Sequence, residues 1–285
     1  MTMRIALLTL LALLSFAANS LLCRLAMQRT QMDAATFTAI RLLAGTLALW
    51  LIVRLRRTVQ RGAGDWRSAG ALFAYAACFS FAYRSLPTGT GALLLFGAVQ
   101  ATMIGHGLWA GERLHLWQVA GLACALGGLA VLLWPGLAAP SLRGAVLMLS
   151  AGVAWGVYSL RGRAAGEPLR TTAENFLRAV PLVLALSFIS GLPVSPISID
   201  GFGYAVASGA LASGLGYAVW YAALRGLRAT QAATVQLCVP VIAAGGGSVF
   251  LGEAPGARLW LSAAAVLGGI ALATLNQAGG NREGV

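Results

Sequence analysis

The chain has 285 residues, 59% of them hydrophobic and only 10% charged, and its mean hydropathy is +0.79. A soluble domain carries roughly a quarter charged residues, so this composition excludes a water-soluble globule, and ten spans of about 20 apolar residues would leave no room for one beside them. The net charge of +12 comes from arginine without any lysine, and because these arginines sit in short connections between apolar runs they read as cytoplasm-facing loops, not as a nucleic-acid surface.

The first predicted span covers 5–27. Arg4 before an apolar stretch resembles a signal peptide, but the hydrophobicity continues to Met27 without a clear cleavage pattern, so the segment reads as a retained span. Asn19 is its polar group at mid-depth. The second span, 35–54, carries Arg41 about six residues in, roughly 9 Å deep at 1.5 Å per residue. An arginine there costs a few kcal/mol or more unless it snorkels or is paired, so either helix-end carbonyls hold it or it attracts a solute carboxylate. The third span, 67–84, places Tyr75, Phe79 and Tyr83 at intervals of four on one helix face. The fourth, 88–110, is dense in glycine from Gly89 to Gly107, the mark of a closely packed membrane helix, and carries Gln100 and His106. The fifth is 116–134. Trp134-Pro135-Gly136 through Pro140-Ser141 is a turn-rich midpoint, dividing the chain into a first half, 1–134, a connector, 135–141, a second half, 142–276, and a short tail, 277–285.

In the second half, span 142–160 carries Trp155 and Tyr158 on one face, and span 172–192 has Glu174 at its mouth, Arg178 at the depth of Arg41, and Pro181. Span 201–224 aligns Tyr217, Trp220 and Tyr221, span 229–251 holds Gln236, Pro240 and Gly245-Gly246-Gly247, and 257–275 is the last. Proline inside a span removes a hydrogen bond and kinks the helix, so Pro181 and Pro240 serve as hinges or as fixed bends. Asn19, Gln100 and Gln236 have no water at mid-depth, and therefore either line a cavity or bond between helices. Tyr75, Trp155 and Tyr217 lie several turns from the nearest span start, so their polar tips need an internal partner or a wet cavity.

The two halves repeat. Gly111-Glu112, then Leu126-Gly127-Gly128 and Ala130, recur 141 residues later as Gly252-Glu253, then Leu267-Gly268-Gly269 and Ala271, and Arg84 and Arg225 share that offset. Arg24 and Arg41 fall on Arg161 and Arg178 at an offset of 137. Five spans per repeat force the second half to enter from the opposite side, so the halves are expected to be inverted. Arginines 4, 54, 56, 57, 61, 67, 113, 161, 163, 170, 225, 228 and 282, thirteen in all, lie in the connections on one side, against five on the other (24, 29, 84, 143 and 258). That bias places both termini in the cytoplasm.

Some chemistry is missing. Cys23, Cys78, Cys124 and Cys238 stand alone in separate apolar runs, which gives neither a disulfide framework nor a zinc site, and His106 and His115 are too few for a metal. No serine has a base placed by spacing to activate it, which disfavours an intramembrane enzyme. No cofactor is implied. Glu112 and Glu253 read as helix-start carboxylates complementing the following span, and the absence of an acid at mid-depth makes uncoupled, facilitative exchange the simpler expectation.

Tyr217 to Arg225, Ala229 to Ala233, Pro240-Val241 and Leu251-Gly252-Glu253 resemble the second-half signature of the EamA type in the drug/metabolite transporter superfamily, and Tyr83-Arg84-Ser85-Leu86-Pro87 to Gly111-Glu112 resembles its first-half partner. The resemblance implies an all-α integral membrane fold of ten spans in two inverted five-helix repeats around a central cavity. Gly89 to Gln100 is most similar to the YddG-type exporters of aromatic amino acids, though the lack of lysine leaves arginine or neutral dipoles as partners for a solute carboxylate. The expectation is an amino-acid exporter of the bacterial inner membrane, a monomer or homodimer in lipid, whose site is drawn from Asn19, Tyr75, Phe79, Tyr83, Gln100, Trp155, Tyr158, Tyr217, Trp220, Tyr221 and Gln236, with Arg41 and Arg178 as carboxylate contacts. Cationic drugs or other small metabolites remain the alternative solutes.

Overall fold

The computed structural model describes residues 3–56, 62–109, 111, 116–135, 139–163, 167–191, 197–224, 226–227 and 235–275, and their regular structure is helical throughout. In chain order the helices are α1 (Met3–Arg29), α2 (Ala34–Leu55), α3 (Trp66–Ala82), α4 (Thr88–Trp109), α5 (Leu116–Leu133), α6 (Leu142–Arg163) and α7 (Pro168–Ile189). Then comes α8, which is continuous but compound: α-helical over Ile199–Val206, π-helical over Ala207–Leu215, and α-helical again over Gly216–Leu224. The last two are α9 (Val239–Leu251) and α10 (Ala257–Leu275).

Among the described residues, α1, α2, α4, α6, α7 and α8 are long and apolar enough to cross a membrane, and α5, α9 and α10 contain shorter apolar helices. Leu7, Leu47, Trp50, Leu184, Phe188 and Val249 are exposed on their outer faces. Hydrocarbon is as apolar as leucine, so such faces are stable only against lipid, and the helices must associate through close packing and hydrogen bonds.

The scarce acids are used at helix starts. Asp33 accepts from the Thr36 amide at the head of α2, Asp65 from the Arg67 and Ser68 amides at the head of α3, and Glu167 from the Arg170 amide at the head of α7. Each satisfies amides that have no partner within their own helix, an effect of about 1 kcal/mol.

The predicted spans coincide with helices to within a few residues except the ninth. It was expected over 229–251, but α9 begins at Val239, and residues 229–234 lie outside those described. Pro240 therefore occupies the first turn of α9 and not the interior of a long helix, where its missing N–H would have had no helical partner anyway. Pro181 does lie inside α7.

Helix α5 packs along α10, α6 against α3 and α4, α2 against α7 and the π-helical part of α8, and α1 between the end of α8 and α9. The repeated glycines explain the α5–α10 contact. A Cβ on Gly128 would stand 2.8 Å from the Ala265 Cβ, and one on its repeat mate Gly269 would stand 2.4 Å from the Gly121 carbonyl oxygen. Only residues without a side chain permit so close an approach.

Candidate functional site

The site is organised around Arg41, which is 1% exposed on α2. Helices α2 and α8 almost touch there, since a Cβ on Gly209 would lie 2.1 Å from the Arg41 carbonyl oxygen. The π-helical segment containing Gly209 supplies two serines. Residues five apart lie about 140° apart around an α-helix, whereas i→i+5 bonding brings them near one face, and Ser208 and Ser213 both point inward. Ser213 Oγ receives long hydrogen bonds from Arg41 Nε and Nη2, each 3.4 Å, and Ser208 Oγ donates to Asn19 Oδ1 at 2.6 Å. Asn19 Nδ2 donates in turn to the Tyr75 hydroxyl oxygen at 3.1 Å, and Arg41 Nη2 donates to the same oxygen at 3.2 Å. The guanidinium carbon lies 5.2 Å from the Tyr75 ring centroid and 4.9 Å from that of Phe79, the spacing of cation–π contacts. Arg41 Nη1 is buried and makes no hydrogen bond to the described residues. The ion pairs formed by the described residues join Arg24 to Glu253, Arg161 to Asp65, and Arg170 and Arg178 to Glu174, and Arg41 takes part in none of them.

The aromatic side of the site is centred on Trp155 of α6. Its ring lies 4.8 Å from Tyr75, 5.5 Å from Tyr158 and 5.0 Å from Tyr217, centroid to centroid, and Phe16 packs edge-on against Tyr217 at 6.1 Å. Between these rings and α4 is a void of about 20 Å³ lined by Phe16, Asn19, Ser20, Tyr75, Phe79, Leu95, Phe96, Trp155 and Tyr217. That is on the order of one water molecule, so the rings must part before a solute enters.

The bundle is tied at both ends of α3. At the Tyr83 end, Arg24 Nε meets Glu253 Oε1 at 3.1 Å while Arg24 Nη1 donates to the Tyr83 carbonyl at 2.9 Å, and Glu253 Oε2 accepts from the Thr88 amide at 2.8 Å. At the opposite end, Arg161 reaches Asp65 at 3.0 Å and Ser68 at 2.9 Å, and the backbone just before α3 is held by α7: Gly64 N donates to Glu174 Oε2 and Asp65 N to Asn175 Oδ1, both at 3.0 Å. Partial burial pushes the Asp65 carboxyl up, but hydrogen bonds from the Ser68 hydroxyl and amide, the Arg161 charge and the Arg67 amide outweigh it and hold the group below the ordinary aspartate value. This tie is therefore fully charged at neutral and mildly acid pH, and weakens only as pH falls through that lowered value.

Of the residues expected from sequence, Asn19, Tyr75, Phe79, Trp155 and Tyr217 line the void, with Arg41 one layer behind Tyr75 and Phe79. Tyr158 stacks beside Trp155, Tyr83 beside Phe79 at 4.8 Å, and Trp220 beside Phe16 at 5.7 Å, away from the void. Tyr221 is half-buried and does not line the void. Gln100 is buried on α4 without lining the void, and Gln236 is half-buried ahead of α9. Arg178 does not join the site, because Glu174 one turn earlier pairs with it at 3.6 Å. Glu112 and His115 lie outside the described residues, and no group of three metal-ligating side chains occurs among those described. Sequence reasoning missed Phe16, Ser20, Leu95, Phe96, Ser208 and Ser213. Phe16 was within reach, since it precedes Asn19 by three positions on the same face.

Membrane-length helices closing on a buried cation and a ring of aromatics define a polytopic membrane protein of the transporter kind. The model of the EamA-like transporter family matches residues 3–134 and again 142–275, and the chain belongs to that family. It is 56% identical over 274 residues, 94% of each chain, to an uncharacterised protein of Pseudomonas aeruginosa. It is 29% identical over 224 residues, 75% of this chain and 73% of the relative, to a probable terminal-alkyne amino-acid exporter of Streptantibioticus cattleyicolor. A solved crystal structure aligns over 100% of both chains with a TM-score of 0.69 at 20% identity, a likeness of fold.

Proposed function

We propose that the protein exports amino acids, aromatic or neutral, across the bacterial inner membrane by alternating access, through ten spans arranged as two inverted halves with both termini in the cytoplasm. The observation that carries this reading is the two-sided site: around one small void, the polar groups of Asn19 and Tyr75, backed by Arg41, adjoin the rings of Trp155, Tyr217 and Phe79. An amino acid with an aromatic side chain presents the same two chemistries. The exporter relative supports the solute class, and the doubled family match supports the two halves.

The ties at the two ends of α3 serve as closures. Both are made in this structure. Breaking the Arg24–Glu253 tie opens the Tyr83 end and breaking the Arg161–Asp65 tie opens the other, as the halves rock about the site. Pro181 inside α7 and Pro240 at the head of α9 are the candidate hinges. Among the described residues no carboxylate lines the void, which favours facilitated exchange over proton coupling.

Uptake of labelled phenylalanine into liposomes bearing only this protein tests the reading, with and without an imposed proton gradient. Gradient-independent flux is expected. Trp155→Ala and Tyr217→Ala should each lower it by about two- to tenfold, since stacked aromatic pairs contribute about 0.5–1.5 kcal/mol beyond their buried area. Normal flux in both variants at wild-type expression would remove these residues from the site.

A further inference from the structure

We infer that the central site is a carboxylate receptor of net positive charge, which takes an aromatic monocarboxylate at least as readily as the zwitterionic amino acid and rejects the corresponding amine. The inference rests on the proposed site and names what that site selects.

The hydrogen-bond inventory leads there. The Tyr75 oxygen receives two donors, Asn19 Nδ2 and Arg41 Nη2, so the phenolic hydrogen is left to donate, and it does so from a group polarised by an adjoining cation. Arg41 Nη1 is a second uncommitted donor. Asn19 Oδ1 already accepts from Ser208 at 2.6 Å, which leaves it one lone pair. With the Tyr75 hydroxyl and Arg41 Nη1 both uncommitted, and a full positive charge behind them, the polar side of the site is weighted toward donors.

Charge points the same way. Arg41 is 1% exposed and outside every ion pair made by the described residues, and neutral dipoles and two rings compensate it only in part. In a low-dielectric site a monoanion restores neutrality, a zwitterion leaves one positive charge behind, and an amine sets two cations against each other. Guanidinium and carboxylate match geometrically as well. The solute's acid end accordingly lies toward Arg41 and Tyr75, and its ring against Trp155 and Tyr217. Its ammonium, when present, meets no carboxylate among the described residues that line the void.

Isothermal titration of the full-length protein in detergent with 3-phenylpropionate, phenylalanine and 2-phenylethylamine separates the charge states while keeping the ring constant. The anion should bind as tightly as phenylalanine or more so, and the amine about tenfold or more weaker than either. Arg41→Gln should level the three affinities. If that variant does not fold, Tyr75→Phe removes only the donor hydroxyl and should narrow the gap between anion and amine several-fold. Equal binding of amine and anion, no binding of any of the three, or discrimination untouched in the variants would overturn the receptor. The two readings fail separately. Phenylalanine flux in liposomes with the amine competing as well as the anion would leave export standing and sink the receptor, whereas tight binding of the anion without phenylalanine flux would do the reverse.

Discussion

Gly209→Ala is expected to destabilise the protein by roughly 2–3 kcal/mol, toward the upper end of what overpacking costs. The new methyl would sit 2.1 Å from the Arg41 carbonyl oxygen and 3.0 Å from its Cα, and these are backbone atoms that cannot rotate away. Helices α2 and α8 must separate, and the bonds from Arg41 to Ser213 lengthen with them, so flux should fall as well as stability. Gly70→Ala on α3 is the control: a Cβ there meets nothing within 4 Å, and alanine favours the helix by about 1 kcal/mol over glycine. Unfolding in mixed detergent should separate the two variants clearly. Equal stability would mean that the α2–α8 crossing is looser than the structure shows.

Glu253→Ala is the second large effect. One carboxylate holds the end of α1 through Arg24 and the start of α4 through the Thr88 amide, and the side chains of Arg24 and Glu253 are each only 14% exposed. Removing it leaves a guanidinium and an amide without their acceptor, a loss of about 2–4 kcal/mol after allowance for partial solvation. Glu253→Gln keeps an acceptor for Thr88 and should cost less than half as much. In a double-mutant cycle with Arg24→Ala the two sites should couple by about 1 kcal/mol or more. Additive effects would show that the pair is incidental.

Repetition and apolar runs made most helices legible, because a chain with so few charges can mark its connections only with arginine, glycine and proline. The site was legible where a polar or aromatic group sat too deep for water, as at Asn19, Tyr75, Trp155 and Tyr217. It was not legible at Ser208 and Ser213, because five-residue spacing puts them on different faces of the α-helix any periodicity assumes, and only the π-helical stretch unites them. Arg41 and Arg178 are repeat mates with opposite surroundings for a local reason. Arg178 has Glu174 one turn before it, while the matching position before Arg41 is Phe37. Among the described residues, Arg41 thus stays a buried cation without a carboxylate partner, while Glu174 neutralises Arg178.

The most direct test of a solute passage through the Arg41 layer is thiol accessibility at Ser213, which is 1% exposed. After Cys23, Cys78, Cys124 and Cys238 are replaced, Ser213→Cys in sealed vesicles of each orientation is challenged with a membrane-impermeant thiol reagent, with and without phenylalanine. The account predicts slow modification from either side of the membrane, and protection by the solute. A thiol that stays unmodified from both sides, in protein that still moves phenylalanine, would show Arg41 and its serines to be a dry structural bond and the passage to lie elsewhere.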